Sequence, residues 1–265
     1  MLEELLEERL LVIVGRVGGK REELAKGLIA RASAAGLSLA VLDYHGLFGD
    51  LQLRAQAPSL PYWAVSEHLP LVLPSIPGPS TPAAEVAAAD AAARSRTMSE
   101  CLARLASRAD TAAFLAYRKL SLLLNYIVDS AQPPDARGAR VELAAAPPSC
   151  RRALTLLWVA YLERAGAPPP ELVVVGELSL ATRERAWVEP LLEELTARGT
   201  RLVLLERSMQ RWHLRHTVAL AEITPETRAY MLAHRLPLPS ESALERGAAV
   251  IDSSSRVREI KLHQR

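Results

Sequence analysis

Residues Leu10 to Asp50 read LLVIVGRVGGKREELAKGLIARASAAGLSLAVLDYHGLFGD. The run Leu10–Val14 is continuously apolar, as in a strand buried on both faces. A glycine-rich turn with a lysine follows. From Arg21 to Ala35 the residues Leu24, Ala25, Leu28, Ile29 and Ala32 share one helical face. Gly36 is placed to end that helix in a left-handed conformation. Leu39 to Leu42 supplies a second apolar strand ending at Asp43, so the spacing predicts a right-handed parallel strand, helix, strand crossover.

Within that frame, Gly15, Arg16, Val17, Gly18, Gly19 and Lys20 approach the phosphate-loop pattern G-x-x-x-x-G-K-[ST]. The turn is one residue short, and Arg21 stands where a hydroxyl belongs. In a working loop, successive backbone N–H groups and the helix N-terminus surround phosphates. Gly15, Arg16, Gly18, Gly19, Lys20 and Arg21 are the candidate nucleotide-binding residues, with ATP or ADP as the ligand. The metal is the difficulty, because Mg²⁺ is held by the hydroxyl after the lysine and by an aspartate ending a later strand. A guanidinium cannot ligate a cation. Arg16 and Arg21 are read either as a substitute for the metal's charge, giving metal-free anion binding, or as solvated side chains at the helix start.

That later strand is ELVVVGELS, in which Gly176 occupies the aspartate position and Glu177 the position of a water-activating carboxylate. Both expected Mg²⁺ ligands are absent, so the Mg²⁺ site is expected to be lost and no metal residue is assigned. Glu177 is the one candidate catalytic residue, as a general base; the alternative is a polar strand-end residue.

The 265 residues, 49% of them hydrophobic, suffice for one large core, and a single domain over 1–265 is expected. A formal charge of +2 gives no bulk basic excess of the kind nucleic-acid binders carry. The 28 arginines against four lysines, and the single asparagine, fit a GC-rich genome or a thermophile equally. Cys101 and Cys150 lack C-x-x-C spacing and read as reduced buried thiols. MLEELLEERL has no basic n-region and is not a signal peptide, and no run reaches the roughly 18 apolar residues of a membrane span. A soluble, cytoplasmic protein is expected.

Past the linker Pro74–Pro82, a helical insertion is predicted over about 83–131. It comprises an alanine-rich region from Ala83 to Ser107 and a helix from Ala109 to about Ala131, with Asp110 as cap and Phe114, Leu115, Leu122 and Tyr126 as its apolar positions. A brief strand Val141–Leu143 precedes a helix capped by Ser149 and running to Arg164. Strands Leu172–Val175 and Leu202–Leu205 flank a helix Val188–Arg198. A strand Thr217–Leu220, a helix Pro225–Ala233 and a hairpin Ala248–Asp252 with Val257–Leu262 close the chain. The alternation predicts an α/β fold, a mostly parallel sheet with helices on both faces. His213 and His216 lack a third ligand nearby. Arg207, Arg211, Trp212 and Arg215 suit phosphate contact or, preferably, a subunit interface.

These stretches resemble the RecA-like P-loop NTPase domains of the HerA/FtsK superfamily, ring ATPases that pump DNA. VIVGRVGGKREELAKGLI is similar to the phosphate loop and its helix, the Walker A region. In LAVLDYHGLFGDL, Asp43, His45 and Gly46 match the Asp-Pro-His-Gly-Glu motif, while Tyr44 and Leu47 depart. ELVVVGELSL resembles the Walker B strand, and RGTRLVLLERS the next, where Glu206 and Arg207 replace a Thr-Gln pair that senses the γ-phosphate. The resemblance implies a degenerate ATPase: a pseudo-ATPase acting as a structural or regulatory subunit near a DNA-processing or DNA-translocating assembly. Its partners would be copies of itself, an active ATPase or a nuclease, and DNA is implied by the resemblance alone. The alternatives are an active DNA translocase or helicase using Lys20 and Glu177, and a metal-independent nucleotide- or anion-binding module.

Overall fold

The computed structural model describes residues 2–130, 132–164, 168–178, 180–210, 212–240, 244, 247–251 and 257–261, with the side chains of 247 and 257–261 left aside. In chain order the elements are α1 (Leu2–Glu7), β1 (Leu10–Val14), α2 (Lys20–Ala34), β2 (Leu39–Leu42), β3 (Arg54–Gln56), β4 (Leu60–Pro61), α3 (Tyr62–Val65), α4 (Leu69–Val72), α5 (Pro82–Ala93), α6 (Met98–Ala106), α7 (Thr111–Leu120), β5 (Ile127–Val128), β6 (Ala139–Val141), α8 (Pro148–Arg164), β7 (Leu172–Gly176), α9 (Thr182–Ala197), β8 (Arg201–Glu206), β9 (Thr217–Leu220), α10 (Pro225–Ala233), β10 (Gly247–Ile251) and β11 (Val257–Lys261).

Among the described residues the main sheet has the order β11-β10-β9-β1-β8-β7-β2-β6-β3. From β9 to β3 every pairing is parallel, and β10 and β11 close one edge antiparallel. The central strands are buried throughout because both faces are covered. Alternate residues serve opposite cores. Leu10, Val12, Val14, Val173, Val175, Leu202 and Leu204 join the core under the insertion and α8. Leu11, Ile13, Val41, Val174, Val203 and Leu205 join the core under α1 and α2. The α/β expectation, with helices on both faces of a mostly parallel sheet, therefore holds.

Several boundaries differ from the sequence expectation. The segment from Ala109 to Ala131 is not one helix: α7 ends at Leu120, a 3₁₀ turn follows, and Ile127–Val128 pairs with Leu60–Pro61. Phe114 is 54% exposed and Leu122 is exposed too; the face that packs includes Leu120 and two small residues, Ala113 and Ala116, that let α5 approach closely. The alanine-rich region splits into α5 and α6, each capped by a threonine, Thr81 and Thr97. Asp110 does cap α7, accepting from the Ala113 N–H at 2.7 Å. The predicted strand Val141–Leu143 lies two residues earlier, where Ala139–Val141 finds β2 and β3 as neighbours. Ser149 sits inside the first turn of α8 because Pro148 starts the helix. Helix α9 begins at Thr182, six residues before the predicted start, and tolerates Pro190 in its interior. Asp252, Leu262 and Ala131, ends of predicted elements, lie outside the described residues. Among the described residues no helix is long and apolar enough to cross a membrane.

Candidate functional site

Parallel strands bring the chain segments after their carboxyl ends to one edge of the sheet, where open α/β folds place ligands. The loop after β1 (residues 15–19), the turn after β2 (43–48), Glu177 after β7, Glu206–Arg207 at the end of β8 and Glu222 after β9 all meet there. The sequence-predicted site residues are thus brought together by topology rather than by proximity along the chain.

The loop after β1 is anchored by the Gly15 N–H, which donates to the Glu206 carbonyl at 3.0 Å. Gly18 has φ +75°, a left-handed conformation that glycine adopts without penalty. Gly19 caps α2, and its N–H donates to Glu22 Oε2 at 3.2 Å, so the N3 carboxylate serves a donor at the helix start although the glycine has no side chain to cap in return. The Arg16 N–H donates to Glu222 Oε2 at 3.4 Å. Two of the loop's backbone donors are therefore turned toward carboxylates of the chain itself. Lys20 Nζ donates to the Leu244 carbonyl at 2.7 Å.

Arg21 is 0% exposed, which corrects the reading of it as a solvated helix-start side chain. Arg16, by contrast, is 75% exposed. The Arg21 guanidinium donates through Nε and Nη2 to Glu22 Oε1, at 3.0 and 2.5 Å, and through Nη1 to Glu177 Oε2 at 3.4 Å. Buried arginine persists only when paired and hydrogen-bonded. Here two carboxylates meet that need, one from the helix itself and one from β7.

Glu177 is the centre of the cluster. Its Oε2 also meets His45 Nε2 at 3.2 Å, and its Oε1 meets Arg207 Nε at 2.8 Å. Burial pushes the Glu177 carboxyl up, but the His45 hydrogen bond and the charges of Arg207 and Arg21 outweigh it and hold the carboxyl below its ordinary range. Its φ of +60° is a sparsely populated conformation for a residue with a side chain, of a kind that costs roughly 1–3 kcal/mol. Glu206 sits beside it, 1% exposed, accepting from Gln210 Nε2 at 2.9 Å. Burial first, then the Glu177 charge, raises the Glu206 carboxyl well above its ordinary value.

The turn after β2 divides its motif residues between two tasks. Asp43, 1% exposed, accepts from the Leu47 and Phe48 N–H groups at 3.0 and 3.2 Å and faces Arg140 at 3.4 Å, so it holds the turn closed. That closure, with Gly46 at φ +75°, leaves His45 facing Glu177. The pairing of Glu22 with Arg21 and of His45 with Glu177 is what reading the motifs separately misses; an acidic residue three after the helix start is the signal that could have placed Glu22 at the N-terminus of α2.

Gly176 is closely confined. A Cβ there would lie 3.2 Å from the Leu42 carbonyl oxygen and 3.3 Å from the Tyr44 N and Cβ, all in β2 and its turn. The residues at the two positions where Mg²⁺ would be held are thus a buried cation and a sterically confined glycine. They do not fit the ion. Among the described residues no three His, Cys, Asp or Glu side chains are grouped as a metal site requires. The arrangement is self-neutralising: Arg21 between Glu22 and Glu177, with His45 and Arg207 completing the shell.

The strand order, the crossover and the loop leading into α2 decide the architecture. The chain has the RecA-like P-loop fold. It superposes on VirB4 of Thermoanaerobacter pseudethanolicus with a TM-score of 0.71 at 12% identity, covering 97% of this chain and 89% of that one. No family model and no curated protein matches the sequence. At that identity the likeness is one of fold.

The remaining candidates lie outside the cluster. His216 Nδ1 contacts the Leu214 carbonyl at 2.7 Å, and the His213 N–H meets Glu189 at 3.4 Å. Trp212 is buried, so it is no exposed anchor of an interface, and Arg211 lies outside the described residues. Cys101 and Cys150 are free and buried, as expected.

Proposed function

We propose that this chain is a catalytically impaired P-loop ATPase homologue, a pseudo-ATPase that serves as a structural or regulatory subunit. The observation that carries the reading is the Arg21 guanidinium, fully buried between Glu22 and Glu177. Phosphoryl transfer in this fold class depends on Mg²⁺ to neutralise developing charge. A fixed cation at the hydroxyl's position repels that ion and engages Glu177, the one carboxylate placed to activate water. Glu177, bound by three cationic or potentially cationic groups, is a poor base: groups that hold its carboxyl low also weaken its pull on a proton.

The assembly belongs to the proposal through the HerA/FtsK resemblance: a DNA-processing or DNA-translocating machine, with an active ATPase, a nuclease or further copies of the chain as partner, acting in the cytoplasm. Titration calorimetry with ATP and ADP, with and without Mg²⁺, beside a phosphate-release assay tests the reading. No turnover, and no gain in affinity from Mg²⁺, is the expected outcome. Phosphate release that vanishes in Glu177→Gln would overturn it in favour of an active motor.

A further inference from the structure

The two carboxylates that engage the loop after β1 differ in kind. Glu22 belongs to the cap of α2 and to the buried Arg21 pair. Glu222 belongs to neither. It follows β9, which pairs with β1 in the register Val14↔Leu220, and its own N–H reaches back to the Val14 carbonyl at 3.4 Å. Strand pairing therefore delivers residue 222 to the lip of the loop. Its Oε2 accepts from the Arg16 N–H, and its Oε1 lies where a Cβ on Gly19 would come within 2.9 Å. The carboxylate thus lies along the loop between Arg16, whose N–H it accepts, and Gly19, whose own N–H goes to Glu22.

We propose that Glu222 is an intramolecular plug, a carboxylate that occupies the loop's anion cradle and competes there with the phosphate groups of a small ligand. A carboxylate oxygen and a phosphate oxygen are interchangeable acceptors for a backbone N–H, and tethering gives the internal competitor a high effective concentration. The plug is displaceable: Glu222 is 28% exposed, and its ion pair with the exposed Arg16 is loose at 3.8 Å. Arg16 and Val17 of the same loop also border a cleft of about 540 Å³, with Arg207, Thr224 and Glu226. That volume lies within the roughly 300–1,000 Å³ of small-molecule sites. With the plug withdrawn, guanidinium groups rather than a metal ion supply the positive charge, so the ligand class is a phosphate or diphosphate bound without Mg²⁺. Glu226 on the same cleft opposes an anion by charge alone and touches no loop donor that the structure records.

The inference deepens the pseudo-ATPase reading by naming what fills the cradle. Its test is run in EDTA so that the two can fail separately. Pyrophosphate and ADP are titrated into the native chain, Glu222→Ala, Glu222→Gln and Glu226→Ala, and hydrogen exchange of the Arg16 amide is followed. A lost charged hydrogen-bond acceptor should tighten pyrophosphate binding about tenfold or more in both Glu222 variants. The Arg16 amide should exchange faster in the unliganded Glu222→Ala variant and regain protection on binding. ADP binding with pyrophosphate's gain assigns the cradle to nucleotide phosphates, and a gain for pyrophosphate alone assigns it to the free anion. Unchanged affinity in both Glu222 variants, or an equal gain in Glu226→Ala, would overturn the plug and leave the pseudo-ATPase reading standing. Turnover by the native chain with Mg²⁺ would overturn that reading and leave the titration interpretable.

Discussion

Replacing Arg21 by alanine tests the site as a structural unit. The guanidinium is fully buried and satisfies two carboxylates that are themselves largely buried. Removing one member of such a cluster leaves uncompensated buried charge, an effect of about 3–5 kcal/mol. Glu177 keeps His45 and Arg207, whereas among the described residues Glu22 keeps its contact with the Gly19 N–H alone, so the lower end, about 3 kcal/mol, is expected. That is a large part of the 5–15 kcal/mol typical of a folded domain. It corresponds to a drop in Tm of roughly 6–12 °C at about 2–4 °C per kcal/mol. Arg21→Lys restores the charge without the planar fork and should recover part of the loss.

The pH dependence gives the sharper check. Arg21 helps to hold Glu177 low and restrains the rise of Glu206, so its removal moves both folded-state carboxyls upward. A carboxyl whose folded pKa is raised binds protons in the folded state that the unfolded chain has released, so stability falls as pH rises. The deficit of Arg21→Ala relative to the native chain should therefore be larger at pH 8 than at pH 5, by urea denaturation at both. A deficit below about 1 kcal/mol, the range of exposed ion pairs, or one that grows toward acid, would refute the assignment of Arg21 as the charge that holds this site together.

Other substitutions probe the same edge of the sheet. Glu206→Gln removes a carboxyl whose folded pKa is raised and keeps its shape, so it should raise Tm, and by more at pH 8 than at pH 5; a loss at pH 8 would contradict a raised Glu206 carboxyl. Gly176→Ala forces a Cβ against the backbone of Leu42 and Tyr44 and should cost about 1–3 kcal/mol by overpacking; chemical denaturation reads it directly, and a neutral result would mean that β2 yields there. Asp110→Ala removes the cap of α7 and should cost about 1 kcal/mol, with no effect on any ligand titration.

The sheet was legible because its strands are buried on both faces and announce themselves as unbroken apolar runs, Leu10–Val14 and Leu172–Val175 above all. The insertion was less so. In α7 two of the core positions before Leu120 are Ala113 and Ala116, which carry little hydropathy signal, while Phe114, and Leu122 in the turn beyond the helix, supply that signal and stand outside. Periodicity favours the large side chains, and packing between α5 and α7 favours the small ones. Beyond Leu120 the chain leaves the helix and pairs Ile127–Val128 with Leu60–Pro61, a partner too far away in sequence for any local pattern to reveal.

For the site, each departure from the phosphate-loop pattern was visible singly, and their dependence on one another was not. Arg21 cannot be buried without Glu177 and Glu22, Glu177 does not take its place without His45 from the turn that Asp43 closes, and Gly176 leaves room for the Tyr44 backbone of that same turn. The arginine, the glycine and the histidine thus form one electrostatic and steric solution. On the pseudo-ATPase reading proposed above, restoring a single motif residue is expected not to bring ion binding: Arg21→Ser leaves Gly176 without a ligand, and Gly176→Asp crowds the turn that supplies His45. An isolated substitution is expected to lower stability without producing Mg²⁺-dependent nucleotide binding, because Arg21 pairs with two largely buried carboxylates and Gly176 faces the Leu42 and Tyr44 backbone.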